Sequence, residues 1–216
     1  MSLDPGTRLG PYEVLAPLSA GTSGAEERYK ASDTRLNRLV VIKVLSPEFS
    51  DPEMKQRLER DARTISSLNH PNISALVEVG HHDPSTEFLV TDYVEGETLA
   101  QRLTRGPMEL QEALKAAIAL ADSLDKAHRQ GVAHGGLNPA TVLLTAGGPK
   151  LLDFGVARLK EERRPHSAVS MATTRVSIPS LAAVPGFAAP YMAPEPFAGV
   201  EADARTDIFA FGTVLY

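Results

Sequence analysis

The stretch His134–Leu144, which reads HGGLNPATVLL, joins a polar turn to a short apolar run and contains no carboxylate. The apolar part, Thr141–Leu144, is typical of a short strand, and so is the next run, Lys150–Leu152. Directly after the second run comes Asp153-Phe154-Gly155. The sequence therefore predicts two short strands, with an aspartate placed just past the end of the second one.

The part of the chain before this stretch is rich in strand signals. Asp51-Pro52-Glu53 interrupts them as a helix start, because it offers an N-cap residue, a proline at the first helical position and an acid in the first turn. Asn69–Asn72 ends that helix. Apolar residues recur at helical spacing at Met54, Leu58, Ala62, Ile65 and Leu68. The strand predictions are Tyr12–Leu18, Leu39–Leu45, Ala75–Gly80 and Glu87–Tyr93.

After Gly96 the pattern becomes helical. A long amphipathic helix closed by Gly131 is predicted from Leu110, Leu114, Ala117, Ala121 and Leu124. Residues 160–189 are rich in Ser, Thr, Ala and Pro without a period and predict a long loop. A final helix contains Asp207 and runs to Tyr216 without a stop signal, so we expect the chain to be a fragment. The element order indicates an α+β fold that divides near residues 94–96.

The composition excludes several classes of protein and site. The chain has 216 residues, 43% of them hydrophobic, which is enough for a sizeable core. Its net charge of −5 argues against a nucleic-acid surface. The absence of cysteine excludes disulfides and thiolate metal sites and fits a reducing cytoplasm. No signal peptide and no membrane-spanning run is present, so we expect a cytoplasmic protein without membrane contact from this segment.

Seven signals follow one another in a characteristic order. They are a glycine-containing turn at Leu18–Gly24, Val40-Val41-Ile42-Lys43, a helix with Asp61, His134-Gly135-Gly136-Leu137-Asn138-Pro139, Asp153-Phe154-Gly155, Ala193-Pro194-Glu195 and Asp207. In this order they resemble a protein kinase domain, and ETLAQRL and PYMAPE resemble the bacterial Ser/Thr kinases of eukaryotic type. The resemblance implies a two-lobed α+β fold. Residues 1–94 would form the N-lobe and residues 95–216 a C-lobe that is incomplete at its end.

The resemblance also implies a site for ATP and Mg²⁺. Lys43 would contact the phosphates with Asp61 as its partner, and Asp153 would hold the metal. The other nucleotide-binding positions would be Gly21, Gly24, Val41, Thr91, Asp92, Val94 and Leu143. Arg28 stands where an apolar residue normally covers the adenine, and Val41 replaces a smaller alanine. We therefore expect ATP binding to be weakened.

The catalytic loop departs most from the family. Gly136 stands where the family has the aspartate that accepts the substrate proton, and Asn138 where it has a lysine. Thr141 replaces the asparagine that holds a second metal, and Gly135 replaces an arginine. The positions that the resemblance assigns to structure are retained: His134, Phe154, Gly155, Glu195 and Asp207.

Three hypotheses follow from this combination. The first is a pseudokinase, a regulatory or scaffolding module in signal transduction that contacts a protein partner and binds ATP weakly. The second is a Ser/Thr kinase that transfers phosphate to protein hydroxyls without a general base, because positioning and charge dominate phosphoryl transfer. The third is a truncated, non-functional fragment. The loop without an acid, from Gly135 to Thr141, favours the first.

Overall fold

The computed structural model describes residues 3–20, 27–45, 52–83, 86–154, 189–194 and 202–216, without the side chains of residues 19, 20, 52–55, 57, 61, 83 and 189. The described residues form two compact units. Unit 1 consists of the described residues up to Ser67 and those in the range Ala75–Val94. Unit 2 contains Leu68–Ser74 and the described residues from Glu95 onward. A single division of the chain at residue 94 therefore misses the short segment Leu68–Ser74.

Unit 1 is built on an antiparallel sheet of six strands in the order β1-β2-β3-β4-β6-β5. The strands are β1 (Arg8–Leu9), β2 (Tyr12–Ala20), β3 (Glu27–Asp33), β4 (Arg38–Val44), β5 (Leu76–Asp83) and β6 (Thr86–Asp92). The four strands predicted from apolar runs are confirmed as β2, β4, β5 and β6, with ends shifted by a few residues. One face of the sheet forms a core of Leu9, Tyr12, Val14, Tyr29, Ala31, Val40, Ile42, Phe88 and Val90.

Strand β3 escaped prediction because its sequence, ERYKASD, is mostly charged or polar. Its side chains nevertheless alternate: Tyr29, Ala31 and Asp33 are buried, while the residues between them are half-buried. The alternation places Arg28 and Lys30 on the face opposite the core.

Helix α1 (Pro52–Ser66) packs against β5 through Leu58, Ala62 and Ile65, which are buried. It ends at Ser66, so Leu68 lies beyond it and belongs to unit 2. The segment Leu68–Ser74 is held there by hydrogen bonds. Asn72 Nδ2 donates to Pro149 O at 2.6 Å, Leu151 N donates to Asn72 O at 2.7 Å and Ser74 N donates to Leu151 O at 2.8 Å.

Unit 2 combines a three-stranded antiparallel sheet with helices. The elements are β7 (Glu97–Thr98), α2 (Leu99–Leu103), α3 (Leu110–His128), β8 (Val142–Thr145), β9 (Gly148–Leu151), α4 (Ala204–Leu215) and the 3₁₀ turns Pro139–Thr141 and Ala189–Tyr191. Both predicted strands near the opening stretch are thus confirmed. The sheet order is β7-β8-β9. The loop predicted for residues 160–189 lies outside the described residues except for Ala189.

Helix α3 buries a different stripe from the predicted one. The buried residues are Ala117, Leu120, Ser123, Leu124 and Ala127, which face β9 and α4. The predicted stripe was right at Ala117 and Leu124 and wrong at Leu110, Leu114 and Ala121, which are exposed. Apolar residues cover a wide arc of this helix, and periodicity alone does not select which part of the arc is buried. None of the helices in the described part of the chain is long and apolar enough to span a membrane.

Candidate functional site

Asp207 on α4 organises the start of the stretch His134–Leu144. Its side chain is fully buried, and its two oxygens accept hydrogen bonds from His134 N at 2.7 Å and Gly135 N at 2.8 Å. His128 Nε2, at the end of α3, donates to the same carboxylate at 2.8 Å. Asp203 N-caps the helix that carries Asp207. One buried carboxylate therefore joins α4, α3 and the loop backbone.

His134 is a structural residue in this geometry. Nδ1 accepts a hydrogen bond from Gly136 N at 3.2 Å, so Nε2 carries the proton and donates to Leu152 O at 2.8 Å. Burial lowers the pKa of His134 by more than the nearby carboxylates of Asp207 and Asp153 raise it. A neutral ring with both nitrogens engaged has no free position for accepting a substrate proton.

Phe154 and Asp153 lie just beyond β9. The Phe154 ring is buried and packs on His134, with 4.8 Å between ring centroids. Asp153 has a φ of +63°, a left-handed conformation that a non-glycine residue adopts rarely and aspartate more readily than most. Leu152 N donates to Thr141 O at 2.9 Å, so the turn that presents Asp153 is tied to the loop before β8.

The polar side chains of the loop bond to the loop itself. Asn138 caps the turn Pro139–Thr141: its Oδ1 accepts from Ala140 N at 2.8 Å and its Nδ2 donates to Gly136 O at 2.9 Å. Thr141 Oγ1 accepts from Asn138 N at 3.0 Å and donates to Asn138 O at 2.9 Å. Both side chains complete a capping box. The two positions where the family has a lysine and a metal ligand serve here to shape the loop.

In unit 1, Lys43 lies on β4 with its side chain buried, 5% exposed. Val41 is opposite Thr91 on β6, and Lys43 is opposite Leu89. Side chains two residues apart on a strand share a face, so Lys43, Val41 and Thr91 lie on the side of the sheet away from the core. Asp61 is in α1, but its side chain is outside the described part, and its pairing with Lys43 stays a prediction.

The segment from Asp92 to Val94 follows β6 at the boundary of unit 1. Arg38 Nη1 forms a salt bridge with Asp92 at 3.2 Å, and Lys30 Nζ lies 4.3 Å from the centre of the Tyr93 ring. Val94 is half-buried.

Gly96 is in unit 2 and lies beside β8. A Cβ at Gly96 would lie 2.3 Å from Leu144 O and 3.1 Å from Leu143 Cγ, so only glycine fits there. Leu143 itself is half-buried on β8, opposite Lys150.

Four predicted site residues lie outside the described part: Gly21, Gly24, Gly155 and Glu195. The first three residues of the predicted glycine turn, residues 18–20, are instead the end of β2, where Ala20 pairs with Glu27 of β3. The roles of these four residues stay predictions.

The described residues provide part of what ATP and Mg²⁺ require. Lys43 is a buried amine suited to a phosphate, and Asp153 is a carboxylate suited to one metal bond. Thr141 is a poor second ligand because its hydroxyl is already engaged by Asn138. In the part of the chain that the structure describes, no group of three His, Asp or Glu side chains could hold a metal ion.

Sequence reasoning missed two contributions to the site. His128 was not singled out, since a histidine near a helix end gives no sign of the aspartate that it meets 79 positions later. The self-bonded loop was also missed. Asn138-Pro139 carries a signal for it, because asparagine before proline is a favoured start of a helical turn.

Comparisons with known proteins agree with this geometry. Residues 12–216 match the family model described as protein kinase domain. A probable serine/threonine-protein kinase of Streptomyces coelicolor is 36% identical over 215 residues, which are 97% of this chain and 30% of that protein. Serine/threonine-protein kinase PknB of Mycobacterium leprae is 35% identical over 202 residues, 91% of this chain and 30% of that protein. The chain thus spans about a third of the length of these curated relatives.

A solved structure shows the same fold. The crystal structure of the Mycobacterium tuberculosis PknI kinase domain, C20A mutant, superposes with a TM-score of 0.75 at 29% identity. The match covers all of this chain and 76% of that one.

Proposed function

Because this chain belongs to the protein kinase family, we propose that it is a pseudokinase of the Ser/Thr type. It acts as a regulatory or scaffolding module that contacts a protein partner and binds ATP weakly. It transfers phosphate to proteins either not at all or far more slowly than an active kinase.

One observation carries the proposal. The stretch from Gly135 to Thr141 has no carboxylate, and its two polar side chains, Asn138 and Thr141, bond to the loop's own backbone. A positioned general base is worth about 10²–10⁴ in rate, and a cation on the transferring phosphoryl group adds further stabilisation. The loop keeps its shape through hydrogen bonds that need neither the base nor the cation. The fold of the loop can therefore be retained without the groups that catalyse phosphoryl transfer.

The retained residues support nucleotide binding rather than transfer. Lys43 is buried on β4, and Asp153 stands directly after Leu152, which is bonded to the loop. The names of the relatives as serine/threonine-protein kinases support a partner that resembles a Ser/Thr substrate protein. Such a partner could dock without being phosphorylated.

Phosphoryl transfer from γ-labelled ATP tests the proposal. The chain is incubated with Mg²⁺ or Mn²⁺ and a generic protein acceptor, beside Asp153→Ala, after both are shown to melt cooperatively. We expect no more label in the wild-type reaction than in the Asp153→Ala reaction. Label that depends on Asp153 would overturn the proposal and establish a base-independent kinase.

A gain-of-function variant tests whether the residues of the loop cause the lack of phosphoryl transfer. The triple variant Gly136→Asp/Asn138→Lys/Thr141→Asn restores the charged groups of the family. Gly135 has a φ of +75° and is kept as glycine for that reason, whereas Gly136 is not among the glycines with positive φ. Label incorporated by the triple variant but not by the wild type would show that these three positions cause the lack of phosphoryl transfer.

A further inference from the structure

Helix α3 presents an apolar stripe to solvent. Leu110, Leu114 and Ile118 are 72%, 52% and 70% exposed and follow one another at intervals of four residues. Residues three or four apart on a helix lie on the same face, so Ala121, which is also exposed, continues the row. We call these four residues the α3 stripe. Single exposed apolar residues are common, but a contiguous row indicates a surface that another polypeptide covers.

The α3 stripe is short. Asp125, four residues after Ala121, forms a salt bridge with Arg129 at 2.8 Å and ends the apolar row. Leu110, at the other end of the row, is the first residue of the helix. The stripe therefore extends over about three helical turns. A surface of this length supports a weak, reversible contact rather than a permanent one.

Lys115 and Asp122 lie along one border of the α3 stripe. Each directly follows a stripe residue, Leu114 or Ala121, and the two are seven residues apart. A separation of seven residues keeps them on the same side of the helix to within about 20°. Asp122 is exposed, and one of its oxygens is hydrogen-bonded to His70 Nε2 at 3.0 Å. Its second oxygen can accept from a further cation.

We propose that the α3 stripe binds a second copy of this chain, with the two α3 helices antiparallel. Reversing the helix about residues 118 and 119 exchanges positions 115 and 122, so Lys115 of each copy meets Asp122 of the other. The same reversal brings Ile118 beside its counterpart at the two-fold axis. Such a contact uses one patch on both copies. A parallel copy would instead bring like charges together.

The remaining charges of α3 do not oppose this arrangement. Glu112 lies on another side of the helix from the α3 stripe and pairs with Arg102 at 3.6 Å. Lys126 comes to the level of Gln111 of the second copy, which is uncharged. Asp125 has Arg129 as its partner on its own helix. The one charged contact that the pairing creates is therefore between opposite charges, and symmetry repeats it.

Sedimentation equilibrium of the full chain, from about 10 µM to about 500 µM, measures the association. We expect a reversible dimer with a dissociation constant of about 100 µM, as fits a contact of this size. Ile118→Lys should weaken the dimer by at least about tenfold, because it places a charge at the axis. Ile208→Lys is the matched control, since Ile208 is 62% exposed on α4. It should change the dissociation constant by less than about twofold.

Charge reversal tests the antiparallel pairing itself. Lys115→Glu alone and Asp122→Lys alone each place two like-charge pairs in the dimer and should each weaken it by about tenfold. An equal mixture of the two variants again places opposite charges together at both contacts, so heterodimers should form with about the wild-type affinity. A merely structural role of either residue would not produce this rescue.

A cross-link gives a measurement that does not depend on weakening the contact. The chain contains no cysteine, so a single introduced thiol reports proximity without background. Ile118→Cys lies beside its counterpart at the proposed axis and should give a disulfide-linked dimer under mild oxidation, whereas Ile208→Cys should remain monomeric. This comparison decides the proposal even if a charged variant fails to fold.

Several outcomes would overturn the proposal. A wild-type chain that stays monomeric up to about 500 µM would exclude the second copy and leave the α3 stripe to a different protein. Equal weakening by Ile118→Lys and Ile208→Lys would show general apolar association. A mixture of the two charge variants that does not dimerise would exclude the antiparallel pairing.

The dimer and the pseudokinase assignment fail separately. Label transfer that depends on Asp153 would remove the pseudokinase assignment and leave the contact between α3 helices unaffected. A monomeric chain would remove that contact and leave the lack of phosphoryl transfer unaffected.

Discussion

Two fully buried aspartates, one in each unit, have different kinds of partner. Asp207 in unit 2 accepts from two backbone amides and His128. Asp33 in unit 1 lies at the β3–β4 turn and accepts from Arg35, through its backbone at 3.1 Å and its Nε at 3.4 Å. Arg38 Nε lies 3.7 Å from the other oxygen of Asp33.

The difference lies in what the partners do when the carboxylate is lost. The partners of Asp207 are buried or half-buried and cannot easily exchange it for water. The side chain of Arg35 is 52% exposed, so solvent can hydrate it. The side chain of Arg38 is 38% exposed, but its Nε is buried. Asp207 therefore holds a buried loop in place, whereas Asp33 organises a turn at the surface.

The largest expected effect is the loss of stability in Asp207→Asn, which is compared with the single variant Asp33→Asn. Asp207→Asn places an amide donor against buried donors and should lower the free energy of unfolding by about 3 kcal/mol. Asp33→Asn should cost clearly less, because its hydrogen-bond donor Arg35 is half exposed and can turn to solvent. Urea unfolding of both variants measures the comparison.

Equal losses for the two variants would contradict this reading of the donors. Asp203→Asn is the control for general damage to α4, because Asp203 caps the same helix from an exposed position. It retains an oxygen for the cap and should be the mildest of the three.

A smaller effect is expected inside the loop. Thr141→Val keeps the shape of the side chain but removes the hydroxyl of the capping box, and should cost about 1 kcal/mol. Thr141→Ser keeps the hydroxyl and should cost less. Unfolding in urea gives the totals, and amide exchange at Asn138 reports the lost bond directly. A Thr141→Val variant as stable as Thr141→Ser would show that the box does not stabilise the loop.

The smallest expected effect is a change in how the free energy of unfolding depends on pH, and it comes from His134. Burial lowers the pKa of His134, so the unfolded chain binds its proton at a higher pH than the folded chain does. Stability from His134 is therefore present above the ordinary histidine pKa of about 6.5 and declines as pH falls below it. Unfolding free energies between pH 5 and 8 should decline toward pH 5 more steeply in the wild type than in His134→Gln. Parallel profiles would contradict the assignment of a neutral, buried ring.

The contribution of Asp33 to stability should change in a more acidic pH range than that of His134. Burial tends to raise its pKa, but hydrogen bonds from Arg35 and the Leu36 backbone and the charge of Arg35 outweigh burial and hold the pKa below its ordinary value. Its contribution is present above the ordinary aspartate pKa and is lost as pH falls through the lower, folded value. The two regions thus lose stability in separate pH windows.

Much of the fold could be predicted from local pattern. Strands β2, β4, β5 and β6 carry runs of apolar residues, and α1 carries a start signal and a helical repeat. Strand β3 could not be recognised, because its charged residues become strand residues through pairing with β2 and β4. The buried stripe of α3 could not be chosen either, since the helix offers more apolar surface than its neighbours cover.

The sequence by itself determined the family, the absence of an acid in the loop and the presence of Lys43 and Asp153. Those are facts of residue identity and order, which need no distances. Only the tertiary structure decided that Asn138 and Thr141 bond to their own loop, that His128 shares Asp207 and that Arg28 is opposite Lys43. These contacts depend on turn geometry, helix placement and strand register, which arise when distant segments pack together.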